Sequence, residues 1–178
     1  ANEGEPSDDY TNDPKGSISI IDVSKINQIR NDTSSTLTLP VTTLDFTAYD
    51  SNKTELVAKG VRIFGKNASV SQDLEPEYVA ISADSTKAFV TLQENNALAF
   101  VDLVTSSITD IKPLGYKDYN ALGLAFDSND KDKSYNPYPW PVLGMYQPDS
   151  IVSFTIDNAG PPAFQEVNSA STNTAFTG

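Results

Sequence analysis

The chain has 178 residues, 38% of them hydrophobic, and carries 24 acidic against 12 basic side chains for a formal net charge of -12. That length suits one domain with a real core, while the charge repels nucleic acid and anionic lipid and favours cations or basic partners. Cysteine and histidine are both absent, which removes disulfides, thiolate metal sites, cysteine nucleophiles, the usual general base and the usual zinc ligand.

No apolar run is long enough for a membrane span. The apolar runs are rich in Val, Ile, Thr, Phe and Tyr, and no long stretch keeps apolar residues at helical spacing, so the chain reads as mostly β. The first strand is Ser17-Ile18-Ser19-Ile20-Ile21-Asp22-Val23, and it matches Ala97-Leu98-Ala99-Phe100-Val101-Asp102-Leu103 position by position. Each copy follows a Glu-containing turn, Asn2-Glu3-Gly4 in one and Gln93-Glu94-Asn95 in the other; the first turn opens a longer acidic loop with Glu5, Asp8, Asp9 and Asp13. Repetition of this kind points to a modular β-architecture. Because no strand precedes the first turn, the sequence predicts a piece of a larger protein with an uncovered strand edge near its start.

Short elements are expected at Asp45-Phe46-Thr47 and Gly60-Val61-Arg62-Ile63-Phe64-Gly65. The clearest unit covers 77–115, with strands at 78–82, 88–92, 97–103 and 108–111 joined by polar turns. Four short antiparallel strands of this kind make one blade of a β-propeller. Asp102 and its equivalent Asp22 stand at the corner after the third strand, where a carboxylate accepts from turn amides. Another blade starts at Gln147-Pro148-Asp149-Ser150-Ile151-Val152-Ser153-Phe154. The predicted fold is all-β, a partial propeller of about two blades and the start of another over 1–158, with an irregular or flexible tail over 159–178.

With nitrogen and sulfur ligands excluded, any metal is held by oxygen, which suits calcium or magnesium. Residues entering the innermost strand of a blade lie near the propeller axis, so Glu3, Asp73, Glu75, Glu77, Glu94 and Asp149 are candidates to converge on a cation. Asp130 and Asp132 have the alternating spacing of a calcium loop, although Lys131 and Lys133 interrupt it and a solvated loop explains them as well. Sequons at Asn31, Asn52 and Asn67 permit glycosylation, and chance also produces them in a chain rich in Asn, Ser and Thr. Tyr138, Trp140 and Tyr146 lie in a rigid aromatic and proline segment suited to stacking on a sugar or to packing between blades. No residue is assigned a catalytic role, since neither a Ser-His-Asp triad nor a phosphate-cradling glycine loop is present.

At several of these places the chain resembles the choice-of-anchor I domain proteins, which are related to mesenchyme-specific cell-surface glycoproteins. The motifs are Asn2-Glu3-Gly4-Glu5-Pro6-Ser7, Gly60-Val61-Arg62-Ile63-Phe64-Gly65, Gln72-Asp73-Leu74-Glu75-Pro76-Glu77-Tyr78, Thr91-Leu92-Gln93-Glu94-Asn95-Asn96-Ala97, Leu114-Gly115-Tyr116-Lys117-Asp118 and Gly144-Met145-Tyr146-Gln147-Pro148-Asp149. They extend over roughly residues 1–154. The resemblance implies a secreted, extracellular or cell-surface propeller that serves a matrix, surface layer or filament, with roles in mineral or surface organisation. Its expected partners are other copies or matrix and surface proteins, with mineral or a glycan as further ligands. Some members carry phosphatase-like labels, so one alternative is a calcium-dependent phosphatase-type propeller; Trp140 and its neighbouring tyrosines make a glycan-binding module the other. A structural or adhesive module, with calcium as its cofactor, is the leading expectation.

Overall fold

The computed structural model describes residues 1–9, 11–24, 26 and 38–155, together with the backbone of two strands at 163–167 and 174–176. Strands β1 (Ser17–Ile21) and β2 (Val41–Asp45) form an antiparallel pair with Ile18 opposite Leu44. A 3-10 turn at Thr47–Asn52 leads into α1 (Lys53–Lys59), and α2 (Val70–Asp73) precedes the main sheet. That sheet is a meander of β3 (Pro76–Ile81), β4 (Lys87–Leu92), β5 (Ala97–Asp102) and β6 (Ser107–Pro113), all antiparallel and in sequence order. A minimal pair of β7 (Lys117–Asp118) and β8 (Leu143–Gly144) brackets an exposed excursion, after which β9 (Ser150–Phe154), β10 (Ala163–Val167) and β11 (Thr174–Phe176) make a third sheet in the order β11-β10-β9. The described chain is thus mostly antiparallel β with a few short helices.

The meander follows the predicted strands closely, and its turns explain why. Ser85, Asn96 and Ser106 take left-handed backbone angles, with φ of 58°, 51° and 52°, so each reversal rests on a small polar residue that tolerates that region. At the predicted corners, Asp102 Oδ1 accepts from Thr105 N at 2.8 Å and Asp22 Oδ1 from Ser24 N at 2.9 Å. The Thr105 amide, and after it the Thr105 hydroxyl, hold the Asp102 carboxyl below its ordinary range. The two aspartates are structural, as their repeat position indicated.

Both faces of the meander are covered. Ala88, Val90 and Leu92 of β4 and Ala97, Ala99 and Val101 of β5 pack against Ile18, Phe46, Leu56, Val61, Val70 and Leu74. On the other face Ala80, Phe89 and Leu98 pack against Ile151 of β9. Burial on both sides explains why β4 and β5 are apolar almost throughout instead of alternating.

Two regions depart from the sequence reading. Helical structure over 47–59 was not anticipated, although its stop signal is legible: Gly60, at φ 106°, donates back to the carbonyls of Leu56 and Val57, and Lys59 pairs with Glu55 one turn earlier. The segment 159–178, expected to be irregular, contains strands at Ala163–Val167 and Thr174–Phe176; the other positions of 159–178 lie outside the described residues. β10 pairs with β9 from Ala163 opposite Phe154 to Val167 opposite Ser150. The ladder of a neighbouring strand supplies what local propensity lacked.

The open edge predicted near the start is present only in part. Asn2 bridges Ser17 through N–H to carbonyl bonds of 2.8 and 2.9 Å, and its side-chain amide reaches Ser17 Oγ and Ser19 Oγ. Beyond that bridge, no further strand pairs with this edge of β1 among the described residues.

Candidate functional site

Glu3, Asp73, Glu75, Glu77, Glu94 and Asp149 lie close enough for their charges to act on Glu75 or Glu77 at one end of the meander, where the β4–β5 turn meets the entry to β3. Gly16 brings them there. A Cβ on Gly16 would lie 2.0 Å from Leu74 O, 2.6 Å from Pro76 Cδ and 3.0 Å from Glu3 O, so only glycine lets the segment carrying Glu3 press against the segment carrying Glu75. Gly4, at φ 79°, closes the same pinch from the other side and seals the loop holding Glu5, Asp8, Asp9 and Asp13.

Asn95 is the floor of this pole and is fully buried. Its side-chain oxygen accepts from Glu75 N at 3.0 Å, while its amide nitrogen donates to Arg62 O at 2.9 Å and Asp73 O at 2.6 Å. Asp73 is buried as well, and its carboxylate accepts from Phe64 N at 2.9 Å and Gly65 N at 2.5 Å. Glu94 has a resident counter-charge: Arg62 Nη1 donates to Glu94 O at 3.0 Å and lies 3.6 Å from its carboxylate, with the guanidinium stacked 3.4 Å over the Phe64 ring. Asp149 takes the side-chain amide of Gln93. Glu77 projects from a bulge in β3, where the register with β4 shifts between Pro76 and Val79.

Glu75 is different. It is 7% exposed, and its carboxylate has no hydrogen-bond or ion-pair partner among the described residues. Burial first, then the charges of Glu94, Glu3, Asp73 and Glu5, raise its carboxyl from 4.5 to about 7. Burial likewise raises Glu77, helped by Glu3, Asp149 and Glu94. The sign for stability follows directly. Between the ordinary value and about 7 the unfolded chain is ionised at Glu75 while the folded chain holds the proton, so stability is full below pH ~4.5 and is lost as pH rises through ~7. The melting temperature should therefore fall between pH 5 and pH 8 in metal-free buffer, and Glu75→Gln should flatten that dependence. An unchanged slope in the variant would refute the assignment.

The other candidates lie elsewhere. Asp130 and Asp132 are exposed, Asp132 Oδ1 accepts from Ser134 N at 3.0 Å, and the neighbouring Asp127 and Asn129 cap their own turns in the same way. Among the described residues, no group of three acidic side chains is spaced to hold a metal ion directly. Tyr138 and Trp140 meet edge to face at 5.3 Å, 60% and 36% exposed, with the indole N–H given to Phe126 O at 3.2 Å. Tyr146 is half-buried, and its backbone N–H donates to Asn96 Oδ1. Asn67 is exposed at φ 64°, Asn52 donates to Glu55 Oε2 at 3.3 Å, and Asn31 lies outside the described residues. A cavity of about 200 Å³ lined by Lys87, Phe89, Phe100, Asp102 and Thr109 sits at the opposite end of the β4 and β5 strands from the carboxylates.

Arg62, Asn95 and Gly16 were not singled out from the sequence as parts of this site. Arg62 and Asn95 stand in motifs that were recognised, yet nothing local says that they meet across 33 residues. The described residues include no helix long and apolar enough to cross a membrane. No curated protein and no solved structure matches the chain. The family profile of the choice-of-anchor I domain, however, matches residues 1–160. The chain therefore belongs to the choice-of-anchor I domain family, which marks it as a cell-surface or extracellular protein.

Proposed function

We propose that this chain is a structural or adhesive module of β-propeller type, working at the cell surface against other copies of itself or against matrix and surface proteins. The observation that carries this reading is the face-to-face stacking of the third sheet on the meander. Ile151 of β9 is buried among Ala80, Phe89 and Leu98, and Ser153 Oγ donates to Ile81 O at 2.5 Å across the two sheets. Four-stranded meanders stacked on one another are the repeating unit of a propeller. β1 and β2 fit as the third and fourth strands of a further unit, because β1 matches β5 residue for residue in pattern and pairs outward in the same direction.

Two measurements on the intact chain separate this reading from phosphoester hydrolysis. Sedimentation over a concentration series should show reversible self-association, and p-nitrophenyl phosphate should survive incubation with the protein whether or not a chelator is present. Chelator-sensitive hydrolysis by a chain that stays monomeric throughout would replace the structural reading with the enzymatic one. The exposed pair of Tyr138 and Trp140 favours a second reading, stacking on a glycan. Under that reading Trp140→Ala abolishes retention on a glycan array without changing the melting temperature by more than a few degrees.

A further inference from the structure

The chain contains one Asp-Pro peptide bond, Asp13-Pro14, and the fold fixes it from both sides. Before it, Ser7 N donates to Asn12 O at 2.8 Å and Asn12 N donates to Ser7 Oγ at 3.1 Å. After it, Gly16 N donates to Ser71 O at 3.1 Å. Between these anchors, Gln72 Nε2 donates to Asp13 O, the carbonyl oxygen of the Asp-Pro bond itself, at 3.0 Å. The capping box of α2 aims that amide, because Gln72 Oε1 accepts from Ser69 N at 3.1 Å. The Asp13 carboxyl is left unspent: it makes no hydrogen bond or ion pair among the described residues. Partial burial, and then the charge of Asp73 on α2, raise it above the ordinary aspartate value. Lys15, its nearest cation along the chain, gives its ammonium to Thr47 Oγ1 at 3.3 Å.

We propose that Asp13-Pro14 is a self-cleavage site, at which the chain severs residues 1–13 from the residues that follow. The Asp13 side-chain oxygen attacks the carbonyl carbon of its own peptide bond, and a cyclic aspartyl anhydride closes as the C–N bond to Pro14 breaks. The carboxyl proton passes to the prolyl nitrogen, which leaves as a secondary amine. One water molecule then opens the anhydride and restores two carboxyl groups on Asp13. Attack within one residue needs no second reactant to be gathered, and the Gln72 amide stabilises the negative charge that builds on Asp13 O. Pro14 is exposed, so water reaches the bond. Cleavage frees the end of the acidic loop that carries Glu3, Glu5, Asp8 and Asp9, while Asn2 still ties that segment to Ser17 and Ser19. The inference does not depend on the module proposed above, which rests on sheet stacking.

The test is incubation of the full chain at about pH 5, where a raised aspartyl group still holds part of its proton, with intact mass followed over days. The mass is read under denaturing conditions, since the bonds of Asn2 hold the two pieces together in native buffer. Fragments 1–13 and 14–178 should accumulate, and faster from the folded chain than from the same chain in guanidinium chloride at the same pH. Asp13→Ala should abolish them. Gln72→Ala should slow their appearance roughly three- to tenfold, the weight of one hydrogen bond in the transition state, while retaining a cooperative melt. Absence of the two fragments overturns the proposal, and so does cleavage that is equal or faster in guanidinium chloride. An unchanged rate in a folded Gln72→Ala variant overturns it as well, and if that variant does not fold, the comparison of folded with denatured parent chain decides.

Discussion

Replacing Asn95 by alanine should lower stability by about 3 to 5 kcal/mol, among the largest effects of any single substitution in this chain. The residue is fully buried, and its one side chain answers Glu75 N, Arg62 O and Asp73 O, three backbone groups from two separate segments. Alanine leaves each of them without a partner in a place that water does not reach, and a stranded buried group costs about 1 to 3 kcal/mol. Partial relaxation brings the sum down to the stated range. Urea unfolding should show the midpoint falling by roughly 2 M with little change in slope. Asn95→Asp is a sharper probe, because it keeps an acceptor for Glu75 N while losing both donated bonds and adding a charge beside Asp73 and Glu75. It should be at least as damaging as alanine. A loss below about 1 kcal/mol for either variant would mean that the segments at Arg62 and at Asp73 to Glu75 are tied to this turn by something else.

Gly16→Ala comes next, at about 3 kcal/mol. The added methyl would meet Leu74 O at 2.0 Å and Pro76 Cδ at 2.6 Å, a carbonyl and a ring that no rotamer change can move aside. Gly115 provides the comparison. It has a left-handed backbone at φ 76° but nothing within 4 Å of a built Cβ, so Gly115→Ala should cost only the conformational penalty, about 1 to 2 kcal/mol. The ordering of the two variants is therefore a test of crowding against backbone strain. Chemical denaturation of both under one set of conditions decides it, and equal losses would remove the argument that Gly16 presses the Glu3 and Glu75 segments together.

These expectations bear on how the site is built. The acidic side chains share a pole because three neutral residues, Gly4, Gly16 and Asn95, permit or enforce the approach of their backbones. Burial first, and then mutual repulsion among the carboxylates, raises the carboxyl of Glu75 to about 7. A fold that keeps such a group buried and without a partner stores a cost at this spot and recovers it elsewhere, here in the apolar layer running from Ile18 through Leu92 to Ile111.

The strands of the meander were legible in the sequence because their signals are local. Val, Ile and Phe runs of five to seven residues are separated by Asp-Ser, Asn-Asn and Ser-Ser turns that accept a left-handed residue, and the near-copy at 17–23 shows the same pattern again. The corner aspartates were equally clear, since a carboxylate two or three residues before a turn amide acts within its own segment. Repeat position alone named Glu3, Glu75, Glu77 and Glu94 as candidates to lie near one another. Which of these carboxylates is left without a partner did not, because Arg62, Asn95 and Gln93 reach their targets from distant parts of the chain. The same distinction accounts for β10, whose sequence is undistinguished and whose strand form depends on hydrogen bonds from β9. Local propensity and turn chemistry thus determined the strands and the acidic character of one pole. Only tertiary contacts decided which carboxylate is paired and which is buried without a partner, because burial and pairing are properties of segments brought together.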